Sequence, residues 1–199
     1  MPTFKVWLAA GLLALPGCTD ILGEKSVAPS QIQLPDGLVV AGANGWCIDT
    51  ASTSARGEAA VVVLGSCAAI GQDALAPRPD VPGVVTVSVE RDPLGAFSPE
   101  DLQAFFVSDV GRAALARNGE ATSVDILDTR AEDGRFFLHM KDSSALPGAS
   151  PLTWRALFDL GGRFVSVSLY GLSDQPIEPD EGLDALEAQV DQLIAANQG

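Results

Sequence analysis

Two hydrophobic periods take turns along this chain, and their order predicts its architecture. LVVAG (38–42) and WCIDT (46–50) are strand-like runs around Ala43-Asn44-Gly45, where Asn and Gly accept positive φ, so the spacing predicts a hairpin of these two strands. AAVVVLGSC (59–67) is apolar throughout, as expected of a strand buried on both faces. VVTVSVE (84–90) alternates, with Val85, Val87 and Val89 on one side and Thr86 and Ser88 on the other. The period then changes to that of a helix. Ser98 is the expected cap, Pro99 suits the first helical position, and Leu102, Phe105, Phe106, Val110 and Ala113 form a buried stripe ending at Asn118-Gly119. SVDILDTR (123–130) and RFFLHMKD (135–142) follow, joined across Glu132-Asp133-Gly134; LTWRALFDL (152–160) and RFVSVSLYG (163–171) meet at Gly161-Gly162. Asp180 is the expected cap of a last helix with the stripe Leu183, Leu186, Val190, Leu193 and Ile194.

The order β-β-β-β-α-β-β-β-β-α predicts an α+β domain over residues 38–199: a mostly antiparallel sheet of seven or eight strands covered by two amphipathic helices. In this order of elements, over Leu38 to Asn197, the chain resembles the PsbP/DcrB-like α/β/α sandwich. The resemblance implies a domain of a family that includes lipid-anchored and exported proteins, mostly non-enzymatic assembly factors.

Ahead of the domain, Lys5 precedes the apolar run Val6–Leu15, which is too short to span a bilayer that needs about 20 helical residues. It reads as the core of an export signal. Leu15-Pro16-Gly17-Cys18 then resembles the lipobox of bacterial lipoproteins, with Pro16 where Ala, Ser or Thr is usual. The resemblance implies a signal peptide over 1–17 and a mature N-terminus at Cys18 whose sulfur carries diacylglycerol. Thr19, rather than Asp, in the next position implies the outer membrane rather than the inner. Residues 18–37 carry no sustained period and read as a lipidated N-terminus with a flexible tether.

Composition narrows the functions. A hydrophobic share of 47% in 199 residues is ample for one core, and the net charge of −14 argues against nucleic acid, whose phosphates need clustered Lys and Arg. With Cys18 lipidated, Cys47 and Cys67 remain in a compartment where disulfides persist. If 46–50 and 60–67 pair as a hairpin, the two fall nearly opposite each other, so a disulfide is expected. A catalytic or metal-binding thiol pair is the alternative, and a zinc site would be short of ligands with one histidine in the chain.

Motifs for chemistry are sparse. His139 is the one ordinary general base, placed by strand parity beside Arg135, Phe137 and Lys141 on the expected wetter face. No Gly-x-Ser-x-Gly, phosphate loop or dinucleotide fingerprint occurs, so no cofactor is expected. The acids Asp174, Glu178, Asp180, Glu181, Asp184, Glu187 and Asp191 spread along a connector and a helix, which is solvated-face placement rather than a calcium cage. Trp46 and Trp154 lie in strand runs and read as core. Ala68–Gly83, with Pro77, Pro79 and Pro82, is long for an irregular loop and is a candidate functional loop. The resulting expectation is a lipid-anchored, non-catalytic periplasmic domain that binds another envelope protein or serves envelope assembly. A small-ligand binder using the proline-bearing loop is the first alternative, and an enzyme of unrecognised class the second.

Overall fold

A computed structural model describes residues 27–56, 59–90 and 98–198. The signal segment 1–17, the lipobox and Cys18 lie outside the described residues. The strands are β1 (Gln31–Gln33), β2 (Val39–Ala41), β3 (Trp46–Ile48), β4 (Ala59–Ser66), β5 (Val84–Glu90), β6 (Val124–Glu132), β7 (Arg135–Asp142), β8 (Ala149–Leu160) and β9 (Arg163–Leu172). The helices are α1 (Cys67–Ile70), α2 (Pro99–Val107), α3 (Asp109–Leu115) and α4 (Pro179–Ala195). The fold is α+β: strands β3-β4-β5-β9-β8-β7-β6 form one seven-stranded sheet, antiparallel at every pairing, and β1-β2 form a small second sheet. Among the described residues no helix is long and apolar enough to cross a membrane.

Alternation along the strands builds two cores. Val85, Val87 and Val89 of β5 and Val165, Val167 and Leu169 of β9 face Leu186, Val190 and Leu193 of α4, together with Val40 of β2 and Leu34 and Leu38 of the β1–β2 turn. On the other face Phe136, Leu138 and Met140 of β7 and Leu157 of β8 meet Leu102, Phe106 and Leu115 of α2 and α3. Both late hairpins turn as their sequences dictate: Asp133-Gly134 and Gly161-Gly162 all hold positive φ, the backbone a two-residue turn needs.

Several expectations are corrected. β2 does not pair with β3 across Ala43-Asn44-Gly45; the turn forms, with Trp46 N–H donating to the Ala43 carbonyl, but β2 joins β1 while β3 joins β4. The strand β1 and the buried Leu34 therefore lie inside the stretch read as tether, because β2 needed a partner and the upstream chain supplies it. β4 is buried on one face only: Ala60, Val62 and Leu64 are inside while Val61 is exposed. The helix after Ser98 breaks at Ser108, whose φ and ψ are extended and whose hydroxyl accepts from Gly111 N–H to start α3. A Cβ on Gly111 would lie 2.0 Å from the Phe105 carbonyl oxygen, so glycine permits the break. The break swings Val110 and Phe105 out of the expected stripe, leaving them 71% and 43% exposed. Glu178, not Asp180, is the N-cap residue of α4, with Pro179 at the first helical position.

Candidate functional site

Cys47 and Cys67 form a disulfide. Cys47 stands opposite Gly65 rather than Cys67, which is the first residue of α1 just beyond β4, so the bridge reaches diagonally across the end of the hairpin. It ties α1 to the sheet and holds the start of the 68–83 segment, which is thus part helix and not wholly irregular. The loop's far side is held by a close backbone approach: a Cβ on Gly45 would lie 2.2 Å from the Arg78 carbonyl carbon, and Gly45 also needs its φ of +83°. Two clefts, of about 410 and 770 Å³, open on either side of this loop. The first is walled by Trp46, Cys47, Cys67, Pro77 and Gln192; the second by Ile70, Arg78, Pro79 and Val84.

His139 lies at another place altogether. Its ring stacks on Trp154, with centroids 4.6 Å apart and planes within 7°, and Trp154 donates its indole N–H to the Pro179 carbonyl at 3.1 Å. The His139 face is the wetter one of β7, as expected: Arg135 and His139 are half buried and Lys141 is exposed, while Phe136, Leu138 and Met140 are buried. On the His139 face Phe137 alone of the four is buried, because α4 lies over it. Gly182 of α4 lets the helix come down: a Cβ there would sit 2.3 Å from the indole. Burial pushes the His139 imidazole below its ordinary value, opposed by the nearby Asp128 carboxylate, and its Nε2 is enclosed without a hydrogen-bond partner among the described residues. The adjoining hollow, of about 100 Å³, is small for a substrate. β3 and β7 are five strand spacings apart in the sheet, roughly 24 Å, so His139 and the cystine do not form one site.

The acidic residues also divide. Glu187 pairs with Arg130, and Asp191 pairs with Arg135 at 2.7 Å, so part of the α4 acid stripe is held by guanidinium groups of β6 and β7 that also lie over the Phe137 ring. No group of His, Cys, Asp and Glu suited to a metal ion occurs among the described residues.

Two features escaped the sequence reading. Gln189, fully buried in α4, accepts from Ala43 N–H at 2.9 Å and donates to the Ala41 carbonyl at 2.8 Å. Asn197 does the same for the N–H and carbonyl of Val39. Gln189 from within α4 and Asn197 from the turn just past its end pair with β2 as a neighbouring strand would. The second feature is the corner between α2 and α3, where Phe105, Val107 and Val110 are exposed near the sheet edge. Leu127 is exposed on edge strand β6, at a bulge between Ile126 and Asp128. The break at Ser108 is the signal that could have found it.

Neither the family models nor the curated proteins contain a match to this chain.

Proposed function

We propose that this chain is a lipid-anchored domain of the bacterial envelope that binds a partner protein and carries out no chemistry of its own. Its address rests on the signal layout and on Cys18 as the acylated residue, and its domain belongs with the PsbP/DcrB-like sandwiches by element order. The observation that carries the binding reading is the α2–α3 corner, where Phe105, Val107, Val110 and Leu127 stand in solvent at the free edge of the sheet. Grouped exposed apolar side chains of this kind mark interaction surfaces. The bulge in β6, with Asp125, Asp128 and Glu132 along it, discourages strand-on-strand addition, so the partner docks on side chains rather than on the β6 backbone. A chain of net charge −14 favours a partner with a basic rim.

The test is photo-crosslinking in cells. A benzophenone side chain at position 110 is expected to give one discrete protein adduct, absent from the same probe at position 61 and lost with Phe105→Ser. Equal labelling from 61 and 110, or none from 110, overturns the reading. Intact mass of membrane-extracted protein is expected to show a diacylglycerol-modified Cys18, and an unmodified residue there removes the address.

The clefts on either side of the 68–83 loop favour a second reading, a small-ligand binder, since both are within the volume range of ligand sites. Ligand-induced protection of the 68–83 backbone from hydrogen exchange would support it over the first.

A further inference from the structure

The half of the sheet that α2 and α3 leave open contains an arginine whose surroundings differ from those of the others. Among the described residues five arginines are half buried. Arg112 meets Asp109, Arg130 meets Glu187, Arg135 meets Asp191 and Arg163 meets Asp36. Arg155 of β8 meets no carboxylate there. Its Nε donates to the Ser168 hydroxyl at 3.0 Å and its Nη2 to the Tyr170 hydroxyl at 3.5 Å. A half-buried guanidinium held only by hydroxyls retains most of its attraction for an anion, and its planar fork suits a carboxylate.

Arg155 lines a cavity of about 360 Å³ between the end of α3 and the β7–β8 connection. Leu115, Met140, Leu146 and Ala149 give it apolar walls, and Thr153 and Tyr170 add hydroxyls beside the arginine. One carboxylate, Asp142, also borders it. That group is already engaged: it accepts from Arg117 N–H at 2.8 Å, from Ser144 N–H at 2.8 Å and from the Ser144 hydroxyl at 2.6 Å. Burial raises its pKa, but these bonds and the Arg117 charge outweigh burial and hold it below the usual carboxylate range. Asp142 lies four residues along β7 from Leu138, the residue opposite Arg155, roughly 13 Å down the strand. Arg117 also borders the cavity, and its charge acts on Asp142, so the cavity has a cationic end at Arg155, an apolar middle and a far end where Arg117 and Asp142 offset each other.

We infer that this cavity is a binding site for a small amphipathic organic carboxylate, its carboxylate on Arg155 and Tyr170 and its apolar body against Leu115, Met140 and Leu146. The site lies on the same face of the sheet as the α2–α3 corner but shares none of the corner's exposed side chains, and it stands independently of the partner-binding reading. Depth and chemistry both restrict the ligand. A bare inorganic anion leaves the apolar walls unfilled, and a neutral molecule leaves the guanidinium without its counter-charge.

The probe is 4-phenylbutyrate, with 4-phenylbutanol and inorganic phosphate as controls, titrated into the full chain in phospholipid nanodiscs. The Arg155 Nε–Hε resonance reports occupancy. Phenylbutyrate is expected to bind at least about tenfold more tightly than the alcohol and to shift that resonance, while phosphate does not bind measurably. Arg155→Met keeps the apolar stem and is expected to erase that preference. Leu146→Asp adds a like charge at an exposed position of the mouth, does not threaten the fold, and is expected to weaken binding at least about tenfold. Equal affinity for acid and alcohol, binding unchanged in Leu146→Asp, or a resonance unmoved at millimolar phenylbutyrate each overturns the site. Phosphate binding as tightly as phenylbutyrate overturns it too, since the apolar walls would then contribute nothing.

Discussion

The two faces of the seven-stranded sheet are built from alternate residues of the same strands, yet they are covered in different ways. Over one face lies α4, a continuous helix of 17 residues, with the β1–β2 sheet beside it. That cover is sealed by chemistry as well as by packing: Gln189 and Asn197 satisfy the open side of β2, and Gly182 admits the Trp154 indole. Over the other face lie two short helices separated by Ser108, which reach the β6–β7–β8 half and leave apolar side chains outside and Arg155 half buried. Continuous cover concentrates stability. Interrupted cover gives up buried area and presents surface to something else.

The sharpest way to break the sealed face is Gln189→Leu. It keeps the volume but strands the Ala43 N–H and the Ala41 carbonyl in the core, each costing about 1–3 kcal/mol. A loss of about 4 kcal/mol is expected in urea unfolding, and a loss below about 1 kcal/mol would show that water reaches β2. Opening the Cys47–Cys67 bridge, which closes a 20-residue separation, is expected to cost about 3 kcal/mol on the chain-entropy model. Thiol titration of the unfolded, unreduced protein should find neither Cys47 nor Cys67 reactive.

The interrupted face answers differently at adjacent positions. Phe106, buried against Phe136, is expected to lose about 3 kcal/mol on replacement by Ala. Its neighbour Phe105, and Val110, are expected to change stability by no more than about 0.5 kcal/mol as serines, and Phe105→Ser is expected to abolish the adduct from position 110. A destabilisation by Phe105→Ser equal to that of Phe106→Ala would mean the corner is core.

The smallest effect expected is with pH, and it belongs to the sealed face. His139 is held neutral by burial, so the unfolded chain binds the proton more readily than the folded one. Its contribution to stability is full above its unfolded pKa of about 6.5 and declines as pH falls from there through the lower folded value. Wild-type unfolding midpoints should therefore drop more between about pH 7.5 and 5.5 than those of His139→Phe. Asp142 acts in a lower window: its depressed pKa gives stability that is lost only as pH falls below the ordinary carboxylate range.

Much of the fold was legible in the chain because it depends on local spacing. The period-two runs, the Asp-Gly and Gly-Gly turns, the Ser98 cap and the stripe of α4 each fall within a few residues of one another, so α+β and the strand order along the sequence followed directly. The cystine was legible through compartment and hairpin spacing, although its register was off by two residues, since a diagonal bridge needs the geometry of α1. The break at Ser108 was missed because Phe105, Val110 and Ala113 satisfy a helical stripe on paper, and only the close approach of Gly111 to the Phe105 carbonyl ends it.

By itself the sequence determined most of the strands, the last helix, the turns between the late strands, and the cysteine pair, because hydrophobic periodicity and turn chemistry act over short distances. Tertiary structure alone decided that β1 completes β2, that an acid stripe finds Arg130 and Arg135, that His139 is shelved on Trp154, and that Arg155 faces a cavity with hydroxyls rather than a carboxylate as its hydrogen-bond partners. Each of those depends on residues far apart in the chain meeting across a layer. No local pattern encodes such a meeting, since what a side chain faces is set by how whole elements stack.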